Sequence, residues 1–279
     1  MTMATAILFP GQGSQTPEMR DTVARIRPDL LELVSEAVGE DPFPRVDEGT
    51  AYAQPAIFCA SLAGWEALGR PGGEYLAGHS LGELGALVAA GRLSELDGLR
   101  LVAVRGRLMQ DAGEQAGDGG MVALLGPDAA ERAGELAEGH GLAVANDNSP
   151  QQVVLSGARE ALPGAAAAAQ ELGLRAMILP VTGAFHSPMM ASAACGFAAA
   201  LADVELRPGQ GTVISAVTAA PFEDVRRQLV EALTSPVRWR ESMLALHERG
   251  VTRFVEVGPG RVLTGLVKRT VRGVELVGA

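Results

Sequence analysis

Four histidines, two cysteines and a 4% share of aromatic residues leave this chain of 279 residues few ways to do chemistry. Cys59 and Cys195 stand apart, with neither metal-ligand spacing nor a disulfide framework, and their apolar, helix-like surroundings suit buried thiols. Positive charge is scarce as well. Lys and Arg number 23 against 33 Asp and Glu, a formal net charge of −10 with no compensating basic stripe. That balance excludes nucleic acid as a bulk partner, although a local basic patch for an anionic ligand stays open. No apolar run reaches membrane-spanning length. The run from Ala4 to Phe9 is too short for a secretory signal and lacks a basic flank, so a cytoplasmic location is expected. What the chain does have is 47% hydrophobic residues, enough for a sizeable core, and 35 glycines. Many small residues and few aromatic ones fit an α/β protein with tight helix–sheet contacts.

The hexapeptide Gly78-His79-Ser80-Leu81-Gly82-Glu83 lies between a short apolar segment (residues 75–77) and a helix-like segment (82–90). A serine between two glycines at a strand-to-helix turn fits a nucleophile elbow. The glycines allow a turn in which a Cβ would strike neighbouring backbone. The helix N-terminus then supplies unpaired N–H groups and positive potential where an oxyanion would form. The alternative is a glycine-rich turn without chemistry.

Around this turn the pattern alternates strands and helices. A first strand (4–9) runs into the loop Pro10-Gly11-Gln12-Gly13-Ser14-Gln15, and helices are expected over 16–38, interrupted near Pro28, over 53–69 and over 94–112. Gly113 to Gly120 reads as a linker. Residues 121–180 then follow as β-α-β-β-α-β, with strands at 121–125, 142–146, 152–156 and 175–180, helices at 128–138 and 159–172, and a turn at Asn146–Pro150. That order is the ferredoxin-like split unit. Helices at 188–203, 222–234, 239–249 and 261–271, with strands at 212–216 and 253–257, complete the chain. The expected fold is therefore α/β: a hydrolase-like large subdomain with a parallel sheet (1–118 and 182–279) and an inserted ferredoxin-like small subdomain (119–181).

A serine nucleophile needs a base. His79 adjoins Ser80 but points elsewhere in such a turn, which suits a structural role. His140, in a Gly-His-Gly turn, and His247, on a polar helix face, read as exposed and inert. His186, in Gly183-Ala184-Phe185-His186-Ser187, lies where the insertion rejoins the large unit, and such clefts favour ligand sites. It is the candidate base, the alternative being a capping or core histidine. No acidic third member stands out, and a backbone carbonyl can hold an imidazole tautomer equally well. Arg105 interrupts the apolar helix face Leu101, Val102, Leu108, Met109. A buried arginine is costly unless paired; its fork either grips a substrate carboxylate or belongs to a structural ion pair. The amides of Gly11-Gln12-Gly13 could supply half of an oxyanion hole, since no Lys-Ser/Thr follows to make a phosphate loop.

In order, Phe9-Pro10-Gly11-Gln12-Gly13-Ser14-Gln15, the Ser80 hexapeptide, Arg105-Gly106-Arg107-Leu108-Met109, Gly183-Ala184-Phe185-His186-Ser187 and Val257-Gly258-Pro259-Gly260 span nearly the whole chain. Together they resemble the malonyl-CoA:acyl-carrier-protein transacylases and the acyltransferase domains of polyketide synthases. The resemblance implies Ser80 as nucleophile, His186 as base and Arg105 as holder of the malonyl carboxylate. It also implies backbone N–H groups at Gln12 and Leu81 as the oxyanion hole, with His79 beside the substrate. A carbonyl in Pro236-Val237-Arg238-Trp239, placed at Arg238, would steady the histidine. Substrates would be malonyl-CoA and an acyl carrier protein, with no cofactor and no metal. Phe185 before the histidine accompanies malonyl rather than methylmalonyl use in related acyltransferases, a preference of about 1–3 kcal/mol for one methyl group. A surface for an acidic carrier is expected from Arg226, Arg227, Arg238 and Arg240 or from Lys268 and Arg269. Leu84, in place of a tyrosine common in the family, and a short segment before Gln54-Pro55-Ala56 bear on partner recognition. The alternatives are a malonate decarboxylase-type malonyltransferase subunit, an acyl thioesterase, whose acid and histidine would come later in the chain, and a non-catalytic carrier-docking module, which would need none of Ser80, Arg105 and His186.

Overall fold

The computed structural model describes residues 4–278; residues 1–3 and 279, the outermost positions of the expected large unit, lie outside the described residues. Its strands are β1 (Ala4–Phe9), β2 (Tyr75–Gly78), β3 (Gly119–Leu125), β4 (Ala143–Ser149), β5 (Gln152–Ala158), β6 (Arg175–Ile178), β7 (Thr212–Ser215), β8 (Ala220–Pro221), β9 (Val251–Glu256) and β10 (Glu275–Gly278). They form a six-stranded sheet in the order β10-β9-β1-β2-β7-β8 and a four-stranded sheet in the order β4-β5-β3-β6. The first is parallel except for the β7–β8 hairpin, and the second is wholly antiparallel. The fold is α/β, with a parallel-sheet portion and a ferredoxin-like portion.

The parallel sheet is buried between helices, and its strands read as continuous apolar runs. In register, Phe9 of β1 lies beside Gly78 of β2, and Leu8 beside Glu256 of β9. The chain therefore leaves β1, β2 and β9 at one edge, the carboxyl edge, where ligand sites of open α/β sheets gather. The loops after these strands touch. A Cβ added at Gly82 would lie 2.1 Å from the Phe9 carbonyl oxygen, and one at Gly11 would lie 2.5 Å from that of His79. On the other side of the Pro10–Ser14 loop, a Cβ at Gly260 would come within 2.9 Å of the Ser14 carbonyl oxygen. Buried Glu256 fixes that last turn by accepting from the N–H groups of Leu263 and Thr264 at the start of the helix Val262–Thr270.

Several expectations shift. The helix expected at 53–69 runs Thr50–Ala67, so Pro55 stands inside it; buried on nearly all sides, this helix draws its stability from packing rather than propensity. The supposed linker 113–120 is half helix and ends in strand, because Glu95–Ala116 continues to a left-handed cap at Gly117 and β3 starts at Gly119. Gly113 serves close approach instead, since a Cβ there would lie 3.0 Å from the Gly183 Cα. The turn expected at Asn146–Pro150 is largely strand: β4 continues to Ser149 through two register shifts. Two of its polar residues are held in the strand by partners there, Asp147 on Arg240 and Asn148 on His79. Cys59 is buried, but Cys195 is exposed on the helix Ala191–Ala202. Strands β8 and β10 had no clear pattern, being short edge strands.

The two sheets are strapped together by residues 237–240. The Val237 N–H donates to the Ala145 carbonyl at 2.8 Å, the Asp147 N–H donates to the Val237 carbonyl at 2.9 Å, and Arg240 grips Asp147 through two nitrogens. Among the described residues no helix is long and apolar enough to cross a membrane.

The tightest point is Gly78, where a Cβ would fall 2.0 Å from the carbonyl carbon of Gly82 in the next helix. Backbone cannot rotate away, so Gly78→Ala is expected to exceed the ~1–3 kcal/mol typical of overpacking. Thermal unfolding checks this, and a Tm within two or so degrees of the parent would contradict it.

Candidate active site

The turn after β2 carries Ser80 at φ 54°, a left-handed conformation for a non-glycine residue. Such strain costs on the order of 1–3 kcal/mol and persists only where surroundings impose it. Here Phe9 accepts from the His79 N–H at 3.0 Å and the His79 carbonyl accepts from Gly82 at 3.0 Å, which pins the turn on both sides. His186 also has a positive φ, 57°, in the loop after β6. That loop is locked by the Ser187 hydroxyl, which donates to the Ala184 carbonyl at 2.7 Å and accepts from the Met189 N–H.

The two strained residues meet. Ser80 Oγ lies 2.9 Å from His186 Nε2, and His186 Nδ1 lies 2.7 Å from the Ala232 carbonyl oxygen. A carbonyl only accepts, so Nδ1 carries the proton and Nε2 is left to accept the serine proton. The steadying carbonyl is therefore Ala232, just past the helix Val225–Glu231, and not Arg238. The Arg238 carbonyl is occupied as the opening acceptor of the next helix, taking the N–H and hydroxyl of Ser242.

Arg105, 3% exposed, reaches Ser80 from the helix Glu95–Ala116. Its Nη2 donates to Ser80 Oγ at 3.0 Å and its Nη1 to Gln54 Oε1 at 2.7 Å. No ion pair involves Arg105 among the described residues; Glu83, whose charge acts on it, accepts from the Ala216 N–H at 2.7 Å instead. Burial, followed by the charge of Arg105, lowers the His186 pKa to about 3, so the imidazole is neutral. Among the described residues the N–H groups of Gln12 and Leu81 have no acceptor, leaving two donors from adjoining loops free. The Gln12 side chain is anchored, its Oε1 accepting from the Thr50 hydroxyl at 2.9 Å.

A hydroxyl held between a neutral imidazole and a guanidinium, beside two free backbone donors, is suited to acyl transfer through a serine ester. Comparison with known proteins agrees. Residues 7–278 match the acyl transferase domain family. The chain belongs to that family.

This acyl transferase is 40% identical over 286 residues to the malonyl CoA-acyl carrier protein transacylase of Salmonella typhimurium, covering 95% of this chain and 92% of the relative. It is equally identical to the polyketide biosynthesis protein ThaF of Burkholderia thailandensis, but spans only 24% of that longer protein. The solved transacylase of Xanthomonas oryzae superposes with a TM-score of 0.90 at 37% identity, over 100% of this chain and 95% of that one.

The other predicted positions of the acyl transferase fall as follows. His79 Nε2 is 2.7 Å from Asn148 Oδ1 and its ring tilts over Trp239 at 5.4 Å, so it ties the turn to the small sheet. Phe185 is 7% exposed, its ring close to Gly183. Leu84, one residue beyond the elbow glutamate, is core rather than entrance, at 1% exposure. His247 is exposed, whereas His140 is partly buried and bonds the Leu136 carbonyl. The proposed basic patch is largely consumed: Arg226 caps carbonyls of Leu201 and Val204, Arg227 pairs with Glu231, Arg238 with Glu241 and Arg240 with Asp147. Gln54 and Thr50 were missed. Their only sequence signal was two polar residues four apart in the first half of a mainly apolar helix.

Burial raises the Glu83 pKa to about 7, against the pull of the Ala216 N–H and Arg105. Between the ordinary value near 4.5 and about 7, the folded protein holds a proton that the unfolded chain has released. Its contribution to stability is therefore full at low pH and is lost as pH rises through that window. Glu83→Gln keeps the acceptor for Ala216 and should flatten that loss in denaturant titrations at pH 5 and 8. Parallel curves for variant and parent would refute the assignment.

Proposed function

We propose that this chain moves a malonyl group from CoA to the phosphopantetheine thiol of an acyl carrier protein, through a malonyl ester on Ser80, in cytoplasmic fatty-acid or polyketide synthesis. The observation that carries the reading is Arg105: a buried guanidinium with no ion pair among the described residues, within hydrogen-bond distance of the same Oγ that His186 contacts. A site for neutral acyl groups gains nothing from such a charge, whereas a carboxylated acyl group completes it.

In the first half-reaction Ser80 Oγ attacks the thioester carbonyl carbon while its proton passes to His186 Nε2. The oxyanion is received by the N–H groups of Gln12 and Leu81, and the helix Gly82–Ala89 adds its positive end. The C–S bond breaks, and His186 returns the proton to the departing thiolate of CoA. The carrier thiol then attacks the ester and the steps reverse, which is ping-pong chemistry. The malonyl carboxylate takes the Arg105 Nη2 that Ser80 otherwise accepts, and it offsets the charge that depresses His186. Anchoring the acyl group also keeps it from water, which favours transfer over the hydrolysis of a thioesterase. Phe185, next to the base, restricts the α-carbon and favours malonyl over methylmalonyl by about 1–3 kcal/mol.

Brief exposure to malonyl-CoA followed by intact-protein mass spectrometry should show one malonyl adduct on the parent and none on Ser80→Ala. No adduct with free CoA accumulating would mean a hydrolase, and neither adduct nor CoA would overturn the substrate. In the same assay Arg105→Ala should shift preference from malonyl-CoA toward acetyl-CoA, by about tenfold or more for loss of a buried charge pair. An unchanged ratio would refute the carboxylate role.

A further inference from the structure

A buried guanidinium has five N–H donors and must be oriented by acceptors. Where those acceptors are carboxylates, the charge is cancelled as well as oriented. Arg105 is held differently. Its orienting partner is the neutral amide of Gln54, itself 1% exposed, through Oε1 at 2.7 Å. The amide cannot be reversed without losing its bonds. Nε2 donates to the Thr50 hydroxyl at 2.7 Å and faces the Met109 sulfur at 3.4 Å. Having accepted there, the Thr50 hydroxyl gives its own proton to Gln12 Oε1 at 2.9 Å. One directed chain of hydrogen bonds thus runs from Arg105 through Gln54 and Thr50 to the loop whose backbone carries one of the two free donors.

We propose that Gln54 is a specificity-determining positioning residue: it fixes the Arg105 fork with a neutral acceptor, leaving the guanidinium without a bonded carboxylate and open to that of the acyl group, while Thr50 passes the restraint on to the Gln12 loop. This rests on the transferase reading of the same site. The choice of amide over carboxylate is what keeps the site selective. A glutamate at 54 has the same shape and reaches Arg105 equally well, but it satisfies the charge internally, so an incoming carboxylate meets repulsion instead of a free cation. The two links of the chain then separate experimentally, because Gln54 acts on charge and Thr50 acts on geometry.

The test compares acylation of Ser80 by malonyl-CoA and acetyl-CoA in the parent, Gln54→Glu, Gln54→Met and Thr50→Val. Gln54→Glu should lower the malonyl-to-acetyl ratio of kcat/KM by about tenfold or more, chiefly through a raised KM for malonyl-CoA. Gln54→Met, which removes the acceptor without adding charge, should lower the same ratio less and supplies the answer if the glutamate variant does not fold. Thr50→Val, which releases both the Gln54 amide and the Gln12 side chain without adding charge, should lower kcat for both acyl groups and lower the ratio less than Gln54→Glu does. Parallel losses for malonyl and acetyl in the Gln54 variants, or an unchanged ratio, overturn the proposal. A parent enzyme that forms no malonyl-serine would instead overturn the transferase reading itself.

Discussion

Burying a guanidinium without a bonded carboxylate costs several kcal/mol that the fold must offset elsewhere. Around Arg105 the offset comes from geometry. The helix Glu95–Ala116 lies close against the helix Thr50–Ala67, and a Cβ at Gly106 would sit 2.7 Å from the Thr50 carbonyl oxygen. That approach brings Gln54 to one nitrogen of the fork and Ser80 to another. Ser80, the polar pair on the buried helix and the loop at Gln12 are arranged about this one charge. Burial, with its field added, keeps His186 neutral, and burial likewise raises the Glu83 carboxyl to about 7.

The strap at Val237 extends this arrangement to the second sheet. Val237 bonds the edge of β4, Arg238 bonds Ala216 at the end of β7, and Ala216 in turn bonds Glu83 on the elbow helix. His79 reaches Asn148 from the Ser80 turn itself. The antiparallel sheet is thereby referenced to the same few residues that position Ser80. The polar run Asn146-Asp147-Asn148 is strand because the backbone bridge to Val237 and the side-chain partners of Asp147 and Asn148 hold it there, and in isolation the same residues favour a turn.

Much of the site was legible without coordinates because its chemistry is local. The Gly-x-Ser-x-Gly spacing needs only a turn too tight for a Cβ, and the split β-α-β-β-α-β order follows from periodicity and turn residues. The carbonyl behind His186 was misplaced, from Arg238 to Ala232, because any main-chain oxygen can accept and no side chain marks which one does. Gln54 and Thr50 gave no separate signal, since a polar pair at helical spacing reads as surface until the helix is found buried on nearly all sides. Arg226, Arg227, Arg238 and Arg240 looked like a free basic patch because clustering in sequence does not reveal that each already has an acid or a carbonyl.

The sequence by itself determined the α/β class and the strand–turn–helix around Ser80, since both depend on residue type and short-range spacing, while His186 and Arg105 stood out among alternatives through the resemblance to the acyltransferases. Tertiary structure alone decided which groups face one another: serine with imidazole across 106 positions, and arginine with a neutral amide rather than an acid across 51. The physical reason is that charge and hydrogen bonding act through space. Whether a buried cation is cancelled or left free for a ligand depends on which acceptor the packing of two helices brings to it.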